Sequence, residues 1–270
     1  MLLASAATLF GQNPIEISEK SLFPTHLDAA REFTLYPNSS ERQSLKLDET
    51  PIFVWSNPRR MGGQAGHVFL WKDAQRPLAV CTVYSFGDKG VPTDRQIVYE
   101  WHSLSESTLV PKHNGVDSNW TPLSGIRFDA IPSAQAPATT LMRQKLELRT
   151  VVSKFVIHSL DPNGQEWPLR VLTKPLCTYE TDEGIGALIG WVGDAGNDPE
   201  FMMLLEVRTM SGMKTWCYAP IRMTDHELFV KKDGNTIWES RRSASDTSTH
   251  DSQNLYFRFR DKIVPLKSTK

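Results

Sequence analysis

Residues 51–104 leave this chain little choice but antiparallel sheet. Two β-rich runs, HVFLW at 67–71 and PLAVCTVYSF at 77–86, flank Lys72-Asp73-Ala74-Gln75-Arg76, a connection of hairpin length. A third run, QIVYEWHS at 96–103, follows a loop at 87–95 and completes a meander. Upstream, residues 52–55 read as a strand that Ser56-Asn57-Pro58 stops, and Gly62, Gly63 and Gly66 loosen the connection. Side chains alternate along a strand, so Ile97, Tyr99 and Trp101 share one face while Val98, Glu100 and His102 share the other. The aromatic face is the expected core, which leaves Glu100 and His102 on the more open face.

The other segments fall into place around this meander. Residues 23–33 read as a short helix with Thr25 as N-cap and Asp28 in its first turn. Residues 139–157, TTLMRQKLELRTVVSKFVI, carry Leu141, Leu148, Val152 and Phe155 near one stripe at helical spacing. The last third reads as a second meander with strands at 169–179, 187–192, 202–209, 215–223 and 228–238. Its strongest hairpin signal is Asp233-Gly234, between FVKK and NTIWES. Residues 240–253 are polar and biased, as in a linker, and 255–266 is either a last strand or loose. The expected fold class is therefore α+β, two antiparallel β-meanders with one long connecting helix. The expected organisation is an apolar N-terminal segment at 1–22, a β-rich unit at 23–137, the helix at 138–160, a β unit at 161–240 and a polar tail at 241–270.

The totals exclude more than they select. Lys plus Arg number 30 and Asp plus Glu 31, so no overall charge draws a polyanion and no nucleic-acid partner is expected. Three cysteines, Cys81, Cys177 and Cys217, are too few for a disulfide framework. They read as buried small hydrophobes, with a Cys177–Cys217 bridge as the alternative. The opening MLLASAATLF resembles the apolar core of a secretory signal peptide, which points to a periplasmic or secreted protein. No Lys or Arg precedes that run, a departure that a start codon placed too far downstream explains. No later stretch is long and apolar enough to cross a bilayer as a helix.

No motif specifies an activity. There is no Gly-x-Ser-x-Gly, His-Glu-x-x-His or Cys-x-x-Cys, and the glycines at 184, 186 and 190 lack the strand–loop–helix context of a phosphate loop. They read as a turn entering a closely packed strand. The best constellation is Glu100 and His102 as catalytic candidates, with Arg59, Arg60 and His67 as binding candidates. His102 titrates near neutrality unless perturbed, Glu100 is placed to orient it, and the arginines suit a carboxylate or phosphate. His67, His102 and Glu100 are also zinc-type ligands. The plainer reading is solvated strand residues and a loop cap, and on that reading no metal and no cofactor is expected. Tyr99, Trp101, Trp191, Trp216, Tyr218 and Trp238 read as sheet core, with a saccharide-stacking face as the alternative.

The runs FVWSNPRRMGGQAGHVFLWKDAQRPLAVCTVYSF, EWHSLS, PLCTYE, GALIGWV and WCYAPIRMT resemble a family of uncharacterised exported proteins of planctomycete bacteria, over about residues 33–238. The resemblance implies a bacterial origin and export, and it brings no activity or site residue with it. The expected role is a binding or structural module of the cell envelope. The alternative is a hydrolase or metal-dependent enzyme using the Glu100/His102 face.

Overall fold

A computed structural model of the chain describes residues 19–37, 43–58, 63–87, 94–193, 197–241 and 251–265. In order, its elements are helix α1 (Glu19–Arg31), strands β1 (Phe33–Pro37), β2 (Lys46–Asn57), β3 (Gln64–Asp73), β4 (Arg76–Gly87), β5 (Asp94–Ser103), β6 (Leu109–His113), β7 (Val116–Asp117) and β8 (Asp129–Ala130). Helix α2 (Leu141–Val152) follows, then β9 (Phe155–Leu160), β10 (Glu166–Val171), β11 (Cys177–Glu180), β12 (Ile185–Gly193), β13 (Pro199–Met210), β14 (Met213–Arg222), β15 (Glu227–Lys232), β16 (Asn235–Ser240) and β17 (Tyr256–Pro265).

The expected α+β class is overturned. Strands hold 58% and helices 11% of the described residues, so the protein is an all-β assembly with two short helices. Its three sheets, one of them a half-barrel, replace the two meanders. A five-stranded sheet has the order β17-β5-β4-β3-β2. A nine-stranded sheet runs β16-β15-β9-β10-β12-β13-β14-β8, with β11 also on β12. A small sheet has the order β1-β6-β7.

The long connecting helix is also corrected. Helix α2 ends at Val152, with Ser153 as its C-cap, and Phe155-Val156-Ile157 enters β9 between β10 and β15. Val156 and Ile157 are both β-branched, and sheet pairing on both edges outweighs continuation of the helix. Phe155 therefore joins the same core as Leu148 and Val152, but from a strand. Of the two readings of 255–266, the structure has the last strand: β17 pairs along β5 as an edge strand of the five-stranded sheet.

Two-sided burial explains the near-continuous apolar runs. On β3, Phe69 and Trp71 join a core shared with α1 and the small sheet, whereas Val68 and Leu70 join the core between the two large sheets. On β12 and β13, Leu188, Met202 and Leu204 face the same inter-sheet core. Ile189, Met203 and Leu205 face α2 instead. A fully buried side chain such as Phe69 or Leu204 contributes about 1.5–3 kcal/mol.

Several local readings hold. Asp233 and Gly234 have φ of 49° and 82°, and Lys232 pairs with Asn235 across them, a tight hairpin turn. The Tyr179 ring lies across Gly186 and leaves no room for a Cβ, so that glycine serves close packing. The three cysteines are free thiols. Cys177 on β11 and Cys217 on β14 have β12 and β13 between them, about 14 Å at normal strand spacing, too far for a disulfide.

Candidate functional site

The expected open face of β5 does not exist. Val98 packs in the inter-sheet core, and Glu100 and His102, on the same face, are 16% and 4% exposed. The neighbouring strand supplies their surroundings. In the β5–β17 ladder Arg258 lies opposite Glu100 and Tyr256 opposite His102. Arg258 Nε stands 3.5 Å from Glu100 Oε1 and donates to Tyr84 Oη at 3.1 Å, while its Nη1 pairs with Asp225. Tyr256 Oη donates to Glu100 Oε1 at 3.5 Å and to Asp225 Oδ1 at 3.4 Å. Burial, reinforced by the acidic neighbours Asp225 and Asp198, pushes the Glu100 carboxyl up to about 8 against the opposing pull of Arg258.

His102 goes its own way. Its Nδ1–H donates to the Ser103 carbonyl at 2.6 Å, which leaves Nε2 as the acceptor of a neutral ring. Burial, with Arg222 nearby, lowers its pKa to about 4 despite that hydrogen bond. Glu100 bonds to Tyr256 and Arg258 rather than to His102, so the carboxylate does not orient the imidazole.

His102 lines a groove of about 790 Å³ at one end of the two large sheets. Its cationic lining is Arg127, Arg222 and Arg241, against one acid, Asp129. Arg222 is a brace: Nε donates to Thr224 O at 2.6 Å, Nη1 to Ser240 Oγ at 3.2 Å and Nη2 to His226 O at 3.2 Å. Its guanidinium lies 5.5 Å from the Tyr256 ring centre. Arg241 is exposed and forks onto Glu239 at 2.9 and 3.0 Å. Arg127 is exposed and makes no hydrogen bond or ion pair among the described residues. Half-buried Trp238 adds an aromatic wall beside Phe201.

The other candidates separate from this groove. His67 sits on the opposite face of the five-stranded sheet, packed against α1, so it shares no metal with His102. There His26 Nδ1 is 2.8 Å from His67 Nδ1, His26 Nε2 is 2.9 Å from Ser85 Oγ, and Arg95 Nε donates to Ser85 Oγ at 3.3 Å. His26, His67, Ser85 and Arg95 are all buried. Arg59 and Arg60 lie outside the described residues. Tyr99, Trp101, Trp191, Trp216 and Tyr218 are core, and Trp238 alone of that group borders the groove.

Sequence reasoning missed Arg127, Arg222, Tyr256 and Arg258. The alternation of Tyr256, Arg258 and Arg260 was the available signal for β17, but which strand it joins is a long-range pairing with no local mark. A scan against protein-family models, a search of characterised proteins and a search of solved structures each found no match.

Proposed function

We propose that this protein is a binding module of a bacterial cell envelope, and that its groove takes a small carboxylated saccharide. The observation that carries this reading is the groove's composition. Three arginines and one acid line it in a chain whose overall charge is −1; Glu239 offsets Arg241, while exposed Arg127 has no ion pair among the described residues. Exposed Arg127 suits a carboxylate, and Arg241 can join it by exchanging Glu239 for the ligand. Trp238 offers a ring for a sugar face, and Ser124, Gln253 and Asn254 supply hydrogen-bonding groups for hydroxyls. His102 enters as a neutral acceptor through Nε2. A ring with a pKa of about 4 is a weak base at neutral pH, which favours binding over hydrolysis.

Export rests on the apolar segment at 1–10, and no helix among the described residues is long and apolar enough to cross a membrane. A thermal-shift screen of acidic against neutral saccharides tests the ligand class. Stabilisation by digalacturonate that Trp238→Ala reduces supports the reading, and no stabilisation by any acidic saccharide contradicts it. Cell fractionation tests the location, with the protein expected outside the cytoplasm.

A further inference from the structure

The groove is not the only place where ligating side chains converge. Glu32 follows α1, His113 ends β6, and Asp261 lies on β17, yet one ligand atom from each falls within 4.8 Å of the others. We propose that Glu32, His113 and Asp261 form a binding site for a divalent metal ion of the zinc type, which fastens the C-terminal strand to α1 and the small sheet.

Each ligand is held by its surroundings. His113 faces Phe33 across the β1–β6 ladder, and its ring stacks on the Phe33 ring at 4.4 Å and 3°. That contact fixes the imidazole plane, and Nε2 sits 3.0 Å from Glu32 Oε2. The backbone of Glu32 is pinned by the Asn114 N–H, which donates to its carbonyl at 2.7 Å. Asp261 lies where β17 bulges between Arg260 and Ile263, and a bulge re-aims side chains out of the regular alternation.

Two features mark the cluster as more than a surface ion-pair group. Asp261 Oδ2 is buried and has no hydrogen-bond partner, an arrangement costly for a carboxylate unless a cation meets it. The charges are also uneven: Lys262 pairs with Glu32, and Asp261 has no ion pair among the described residues. Lys262 is 43% exposed and long enough to swing outward, so it can yield its place to a metal ion. One imidazole with two carboxylates is a donor set that zinc accepts, and three protein ligands leave a position for water.

The site shares no residue with the groove, so the two proposals stand or fall separately. The test is calorimetric titration of chelator-treated full-length protein with zinc chloride, with melting followed in parallel. One saturable site is expected, with a rise in Tm that EDTA reverses. His113→Gln and Asp261→Asn should each weaken binding about tenfold or more, and Lys262→Gln should strengthen it. Circular dichroism establishes which variants are folded, and Asp261→Asn, at a half-exposed bulge, decides if His113→Gln is not. Absence of saturable zinc binding by the wild type overturns the proposal. So does binding that the folded variants leave unchanged, the signature of adventitious zinc on other histidines.

Discussion

Arg258 lies directly opposite Glu100 across the β5–β17 ladder, with its Nε 3.5 Å from Glu100 Oε1. The pair closes the end of the inter-sheet core, and Asp225 meets the same guanidinium from the other side. Burial and the nearby acids raise the Glu100 carboxyl to about 8, from 4.5 in the unfolded chain. Between those values the folded protein binds more protons than the unfolded one. This group therefore favours folding most below pH 4.5, and its contribution declines as pH rises through 8. Glu100→Gln should be more stable than the wild type at pH 9 by at least about 1.4 kcal/mol, the worth of one pKa unit, and should converge with it near pH 4.5. Urea denaturation at the two pH values checks this, and a difference that does not change with pH would count against it.

The buried His67–His26–Ser85 chain has the opposite sign. Burial first, then the proximity of His67 and Arg95, holds His26 well below its ordinary 6.5. The unfolded chain takes up protons below pH 6.5 that the folded one refuses, so stability is full above 6.5 and is lost as pH falls. His102 adds to the loss down to about 4. His26→Asn should flatten the acid limb of a stability–pH curve. At pH 7.5 it should cost about 1–3 kcal/mol, because Ser85 and His67 lose their shared partner. An unaltered acid limb in a folded variant would exclude His26 as its source.

All three thiols should count as free, and none should react quickly in the native protein. Burial pushes Cys81 well above its ordinary value and both Cys177 and Cys217 to about 11, so little thiolate exists at pH 8. Titration with a thiol reagent should show slow reaction in buffer and three equivalents after denaturation. Fewer than three in freshly denatured, unreduced protein would indicate a bridge that the strand order does not allow.

Local structure was legible where local chemistry decides it. Asp233-Gly234 declares its turn, and the runs around Phe69 and Val83 declare strands. What those runs also implied was burial on both faces: the Glu100/His102 face was read as open because strand alternation ranks two faces and cannot say that a second sheet covers the poorer one. The boundary at Ser153 was hidden for a related reason. Leu148, Val152 and Phe155 do share a core, but Phe155 reaches it from β9, and only the pairing with β10 and β15 decides between helix and strand. The groove was illegible because it joins β5 to residues from β14, β16 and β17, which no spacing in the sequence relates.

Calorimetry with digalacturonate and its methyl ester is the sharpest check on carboxylated-saccharide recognition by the groove beside His102. One site is expected for the acid, with weaker binding at higher salt and a loss of about tenfold or more in Arg127→Gln, and the ester should bind poorly to both proteins. Equal affinity for acid and ester, or binding that Arg127→Gln and Arg241→Gln leave unchanged, would contradict it.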